Sequence, residues 1–207
     1  MASQLVFYTN PMSRGRIVRW MLEEVGQPYE TVVLDYATTM KAPEYLAINP
    51  MGKVPAIKDG DAIVTECAAI CTYLADRFPE AGLAPEPKSK DRAAYLRWMF
   101  FCAGPLEAAL NVASLGVTVP DDKRAMVGWG SYEAVIDRLD EVVQKAAPFI
   151  LGEKFSALDV YLGSQIGFGL QFGSIPKRPS FETYLGHIMT RPAAIRAAQI
   201  DDALLSG

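Results

Sequence analysis

NPMGKVPAIKDGDAIVTECAAICTYL, running from Asn49 to Leu74, decides the fold. Two short apolar runs, Ala56–Ile57 and Ala62–Val64, are parted by an Asp-Gly pair, and a stretch with helical spacing follows. Asp59-Gly60 between such runs reads as a hairpin turn, so the two strands are antiparallel neighbours. Val54-Pro55 stands just ahead of the first strand, where a missing N–H breaks no ladder bond. Thr65-Glu66-Cys67 then opens a helix over Glu66–Pro79, stopped by its proline.

Upstream, QLVFYT (Gln4–Thr9) is a β-rich run halted by Asn10-Pro11. Ser13 stands at the N-cap of a helix whose apolar positions Ile17, Met21 and Val25 are flanked by Val18 and Leu22, and Gly26 closes it. YETVVLD (Tyr29–Asp35) is a second strand, and KAPEYLAINP (Lys41–Pro50) a short helix ended by Asn49-Pro50. The order is βαβαββα. A crossover helix makes the first two strands parallel, so a small mixed sheet is expected.

Downstream, GLAPEPKSK (Gly82–Lys90) reads as a linker. Beyond it strand alternation disappears and helical periodicity takes over, at roughly 91–115, 122–147, 157–172, 181–190 and 192–204. The expected architecture is α+β: a mixed domain over residues 1–81, a linker over 82–90, and an all-helical domain over 91–207. In FSALDV, Ser156 and Asp159 have capping-box spacing, with Phe155 and Val160 as the staple around it.

The 207 residues are half apolar, enough for a substantial core, and carry a formal charge of −4, which argues against nucleic acid and anionic membrane surfaces. MASQLVFYTN lacks a basic segment followed by a long apolar one, and no stretch nears the ~18 apolar residues of a membrane span. Three cysteines without framework spacing fit a reducing compartment. A cytoplasmic globular protein with no membrane or nucleic-acid partner is expected.

Several residues can carry chemistry. Backbone N–H groups at a helix start bind anions. There Glu66 can hold an ammonium while the Cys67 N–H and side chain hold a carboxylate, which suits an α-amino acid head group. A cis Pro55 would leave the Val54 backbone for an extended ligand. The ordinary readings are a turn before a strand and a capped helix, and Ser13 likewise reads as a cap or as an anion donor. Cys67 and Cys71 lie four apart with no further ligand nearby, so no zinc or other metal site is expected. NPMS (Asn10–Ser13) lacks the Cys-X-X-Cys of dithiol chemistry. His187, the single histidine, reads as structural or surface. Arg14, Arg16 and Arg19 read as a solvated basic face. YLRWMFFCAGPLEAAL (Tyr95–Leu110) is too apolar to be solvated: it reads as core, with Trp98, Phe101 and Cys102 able to edge a cleft between domains.

Taken together, SRGRIVRWMLEE, EYLAINPMGKVPAI, TECAAICTYLADRFP, SALDVYL and RPAAIRAA resemble the cytosolic glutathione transferase family, of bacterial type and open class, over essentially the whole chain. The resemblance implies a thioredoxin-like first domain, a helical second domain and a homodimer. It implies that Val54 pairs with the cysteinyl backbone of glutathione across a cis Pro55, that Glu66 and Cys67 hold the γ-glutamyl end, and that Lys41 and Lys53 reach the glycyl carboxylate. The family more often has Ser where Cys67 stands. The thiolate-stabilising residue is expected at Ser13, with Asn10, Thr9, Tyr8 and backbone donors as alternatives; Met12, Trp98, Phe101 and Cys102 are expected in the acceptor pocket. The implied function is detoxifying attack of the glutathione thiolate on a hydrophobic electrophile, with glutathione as co-substrate and no metal. A glutathione-dependent peroxidase or isomerase, and a non-catalytic binding protein on the same fold, are the alternatives.

Overall fold

The computed structural model describes residues 5–205. Strands β1 (Leu5–Thr9), β2 (Tyr29–Val33), β3 (Ala56–Asp59) and β4 (Ala62–Thr65) form one sheet in the order β2-β1-β3-β4. β1 and β2 are parallel, joined through helix α1 (Gly15–Val25), while β1–β3 and β3–β4 are antiparallel. With α2 (Pro43–Leu46) and α3 (Cys67–Arg77), the first eighty residues follow the predicted βαβαββα order. Gln4, the expected start of the first strand, lies outside the described residues.

Alternation along β1 buries Leu5, Phe7 and Thr9. Ile17, Met21 and Val25, with Val18 and Leu22, are all buried on α1, so the periodic positions face the core. Gly26 ends that helix at φ 72°, where only glycine is unstrained, and its N–H bonds the Leu22 carbonyl at 3.0 Å. The hairpin differs from expectation by one residue. Asp59 pairs with Ala62, so the two-residue turn is Gly60-Asp61, and Gly60 takes the positive φ of 59° at its first position. Twist compatibility favours glycine at that position.

The remaining helices are α4 (Asp91–Phe101), α5 (Glu107–Ser114), α6 (Tyr132–Val143), α7 (Ala157–Phe172), α8 (Pro179–Ile188) and α9 (Pro192–Ala203). Two predicted stretches are broken. Residues 91–115 are interrupted by a π-helical segment at Cys102–Leu106, where Pro105 has no N–H to donate. Of 122–147, only Tyr132–Val143 is α-helix; a 3-10 segment, Asp121–Met126, precedes it, and Gly128 and Gly130 separate the two. Glycine at φ 74° in Gly130 cannot continue a helix. Among the described residues no helix is long and apolar enough to cross a membrane.

The chain divides into two compact units, one running to Leu83 and resuming at Thr190, the other Ala84–Met189. The sequence assigns residues 91–207 to the helical domain as a block; the last helix, α9, instead packs on α1 in the first unit. Charge explains this. Arg191 makes a two-pronged bond to Glu24, both contacts 2.7 Å; Arg196 reaches Glu23 at 3.2 Å, and Arg16 reaches Asp202 at 2.7 Å. Arg19 is not solvated as expected. It is 1% exposed, donates to Asp201 at 3.1 Å, to Tyr29 at 3.0 Å and to Thr31 at 2.7 Å, and lies over the Phe7 and Tyr29 rings. A planar, weakly hydrated guanidinium tolerates this sandwich where an ammonium would not. Removing either member of such a buried pair costs about 3–5 kcal/mol, because the other charge is stranded.

In the second unit the capping box forms as predicted. Asp159 accepts from the Ser156 N–H (2.9 Å), the Ser156 hydroxyl (3.0 Å), the Ile150 N–H (2.9 Å) and the Tyr184 hydroxyl (2.9 Å). Phe155 and Val160 are both buried beside it. Burial outweighs these four donors and holds the Asp159 carboxyl above its ordinary range.

Two outcomes are expected. Asp159→Ala strands those donors and lowers stability by about 3 kcal/mol or more in urea unfolding, whereas Ser156→Ala costs about 1 kcal/mol. Because the native carboxyl holds its proton more tightly than the unfolded one, stability falls as pH rises from ~3.9 to the raised native value, then levels. Asp159→Asn removes that slope; an unchanged slope would assign it to another group.

Candidate functional site

Register brings the candidate residues together. Tyr8 on β1 pairs with Ala56 on β3, and Ala56 with Thr65 on β4. One step along each strand toward the same sheet end lie Thr9, Pro55 and Glu66; one further lie Asn10, Val54 and Cys67. The two ends of one hairpin and the end of the distant strand β1 therefore finish side by side.

β1 leads into α1 through a tight turn. The Asn10 side chain donates to the Leu34 carbonyl at 2.8 Å and accepts from the Met12 N–H at 2.9 Å. The Ser13 hydroxyl donates to the Asn10 carbonyl at 2.6 Å and accepts from the Gly15 N–H at 2.9 Å. The N-cap of α1 is Arg14, one residue later than expected, and Ser13 serves the helix from just ahead of it by accepting the Gly15 N–H; its single hydrogen is engaged. A side chain at Gly15 would meet the Thr9 hydroxyl at 2.0 Å, so glycine alone lets α1 start this close to β1. Thr9 has no exposed surface, and its hydroxyl has no partner among the described residues. Tyr8 is half-buried with its ring against Tyr45, centroids 5.6 Å apart. Of the four residues expected as thiol donors, Asn10 and Ser13 face the turn and Thr9 has no surface to offer.

The Val54-Pro55 bond is cis. Among the described residues no backbone group pairs with the Val54 N–H or C=O. Its neighbour is held firmly: the Lys53 carbonyl accepts from the Tyr45 hydroxyl and, at 2.8 Å, from the Asn49 side chain. Burial raises the Tyr45 hydroxyl to about 12, so it stays a donor at any ordinary pH. Lys41 donates to the Gly52 carbonyl at 2.6 Å, and both Lys41 and Lys53 are exposed.

Glu66 is the one non-glycine residue with positive φ among the described residues, at φ 68° and ψ 122°. A β-carbon in that region costs about 1–3 kcal/mol and persists only where the surroundings over-determine it. This conformation sets the direction in which the exposed Glu66 side chain leaves the backbone at the start of α3. Cys67, 9% exposed, opens that helix and donates its thiol to the Arg14 carbonyl at 3.7 Å. The starts of α1 and α3 are thus joined directly.

Met12 is 76% exposed. In the second unit Trp98 is buried with its ring edge-on to Phe101 at 5.1 Å, and Cys102 exposes nothing. Burial pushes the Cys102 thiol up, so it is interior packing and not a contact surface. Cys71 is likewise buried with its thiol raised, and His187 is exposed in the last turn of α8. No group of three or more His, Cys, Asp and Glu side chains placed to hold a metal occurs among the described residues.

Sequence reasoning missed Tyr36, Tyr45 and Asn49. The Tyr36 hydroxyl donates to the Met12 carbonyl at 3.1 Å. Asn49 left a signal: an asparagine before proline at a helix end that is 5% exposed must bond something. Tyr36 left none, because its partner lies 24 residues back in a loop.

Residues 7–82 match the family model for the glutathione S-transferase N-terminal domain. The chain is 30% identical over 161 residues to glutathione S-transferase GST-4.5 of Xanthomonas campestris pv. campestris, covering 76% of each. Its fold is similar to that of a glutathione transferase from Methylococcus capsulatus, with TM-score 0.80 and 25% identity over 96% of this chain and 99% of that one. A sphingomonad glutathione S-transferase solved with glutathione aligns at TM-score 0.75 and 29% identity, over 95% and 98%.

The Glu66 geometry makes its own prediction. Glu66→Gly relieves the strain at the cost of a more flexible unfolded chain, for a net gain of about 1 kcal/mol in urea unfolding. A loss of stability would show that the carboxylate contributes more to folding than its backbone costs.

Proposed function

Because the chain belongs to the glutathione S-transferase family, we propose that it binds glutathione where β1, β3 and β4 end, and directs the thiolate at a hydrophobic electrophile. Glu66 takes the γ-glutamyl ammonium, and the Cys67 N–H with the first turn of α3 takes the adjoining carboxylate. Val54 pairs through both backbone groups with the cysteinyl residue, as an added strand would. Lys41 and Lys53 face the glycyl carboxylate. The sulfur then falls by the Asn10–Ser13 turn and the start of α1. The observation that carries this reading is the alignment of Val54, Glu66 and the β1–α1 turn at one sheet end, with Glu66 held at φ 68°.

A free thiol with a pKa of ~8.5 is only a few per cent ionised at pH 7. Donors that favour the anion lower that value, each unit being about 1.4 kcal/mol. The N-terminus of α1 supplies one such influence, and the Ser13 hydroxyl a second once its hydrogen turns from the Asn10 carbonyl to the sulfur. The thiolate sulfur then forms a bond to an electrophilic carbon, and the leaving group departs with the displaced electron pair. Holding both reactants together supplies the rest of the acceleration. One observation favours a second reading, in which Ser13 is a cap alone and the anion is met by backbone and Asn10 donors: its hydrogen is directed at the Asn10 carbonyl.

Calorimetry is expected to show binding at millimolar glutathione, and Glu66→Gln to weaken it by more than about tenfold, since the ammonium loses its charged partner. Absence of heat would overturn the binding site itself.

Ser13→Ala separates the two readings. As thiolate donor, its loss raises the pKa of bound glutathione, followed by thiolate absorbance, and lowers kcat with an activated aryl halide by about ten- to a thousandfold. As cap alone, its loss costs about 1 kcal/mol of stability and leaves the thiol where it was.

A further inference from the structure

The turn Asn10–Arg14 has every carbonyl occupied. Asn10 accepts from the Ser13 N–H at 3.0 Å and from its hydroxyl at 2.6 Å. Pro11 accepts from Arg16 Nε at 2.6 Å, Met12 from the Tyr36 hydroxyl at 3.1 Å, and Ser13 from the Arg16 N–H at 3.3 Å. Arg14 accepts from the Ile17 N–H at 3.1 Å and the Cys67 thiol at 3.7 Å. Besides the Ser13 hydroxyl, three of these donors are side chains from outside the turn: α1, the loop after β2, and the first residue of α3.

Burial does not explain all of them. Met12 is 76% and Tyr36 49% exposed, so water would serve that carbonyl as well as a tyrosine does. What a protein donor adds is a fixed position. A hydroxyl that must meet a sulfur within a few tenths of an ångström gains from a turn that cannot shift, and reaction rates are steep in such displacements. Arg16 is itself anchored, through its other nitrogen, to Asp202 on α9 at 2.7 Å.

We propose that Arg16, Tyr36 and Cys67 are positioning residues that hold the Ser13 hydroxyl in place against the ligand's sulfur through the Pro11, Met12 and Arg14 carbonyls. The inference rests on the reading of Ser13 as thiolate donor, in which its hydrogen leaves the Asn10 carbonyl for the sulfur while the Ser13 N–H stays on that carbonyl. None of the three touches the reacting atoms in this account; each acts through the backbone of the turn.

Tyr36→Phe is the cleanest test, because it deletes one exposed O–H and leaves the ring. The expected result with glutathione and an activated aryl halide is a kcat lowered about three- to tenfold, a raised pKa of the bound thiol, and a glutathione Kd within about twofold of the parent, without change in Tm. In a Ser13→Ala background the same substitution changes nothing further, since it works through the lost hydroxyl. Arg16→Lys, which keeps the charge but loses the Nε–H, gives the same pattern. The inference is overturned if Ser13→Ala collapses turnover while Tyr36→Phe leaves kcat and the thiol pKa unmoved, or if Tyr36→Phe costs as much with Ser13 absent as with it present. Should Ser13→Ala itself leave both readouts unmoved, the thiolate-donor reading falls and the positioning role falls with it. That variant tells the two failures apart.

Discussion

The backbone ladder that sets Tyr8 beside Ala56, and Ala56 beside Thr65, is the constraint on which the candidate site depends. A slip of one residue between β3 and β4 would carry Glu66 to the other face of the sheet and away from Val54. The corresponding slip between β1 and β3 is opposed by the fold's own energetics. Phe7 and Ile57 are fully buried on facing positions, and re-exposing one such side chain costs about 1.5–3 kcal/mol. The glycine turn at Gly60-Asp61 fixes the β3–β4 register from the far end of the hairpin. Packing and turn chemistry, neither of which touches a ligand, thus determine where the polar groups of the site converge.

On the second face a small cluster completes the support. Leu34, Met40, Tyr45 and Ala56 are buried together, with Tyr8 and Val54 packed against them. Tyr45 belongs at once to this cluster and to the hydrogen bonds that hold the Lys53 carbonyl. Apolar packing therefore positions the residue next to Val54, and the site inherits its rigidity from the core. Glu66, held in a conformation its β-carbon disfavours, is the place where that rigidity is spent.

Local signals were legible in the sequence and distant ones were not. The element order, the parallel and antiparallel pairings, the Gly26 stop and the Ser156–Asp159 box all follow from spacings within a dozen residues. The positions of Val54, Glu66 and Ser13 at strand and helix ends were legible for the same reason. Arg19 was not: on its own helix it is one of three arginines, and its burial follows from Asp201, 182 residues on. The break between Met126 and Tyr132 shows a different failure, since apolar periodicity persisted across two glycines that backbone geometry does not forgive. Tyr36 and Cys67 reach carbonyls of the β1–α1 turn, and no side-chain pattern reports which backbone oxygens will come within range.

The return of α9 to the first unit has a consequence for the order in which the protein is made. All of Ala84–Met189 must be translated before Asp201, Asp202 and Arg191 emerge to meet their partners on α1. At about 5–20 residues per second this is an interval of roughly 5–20 seconds, long beside the folding time of most small domains. Through that interval Arg19 has no Asp201 carboxylate to meet, and Tyr29 and Thr31 are the only ones of its three hydrogen-bond partners yet translated. The unit begun before Ala84 is then finished only after the stretch Ala84–Met189, by charges that follow that stretch in the chain.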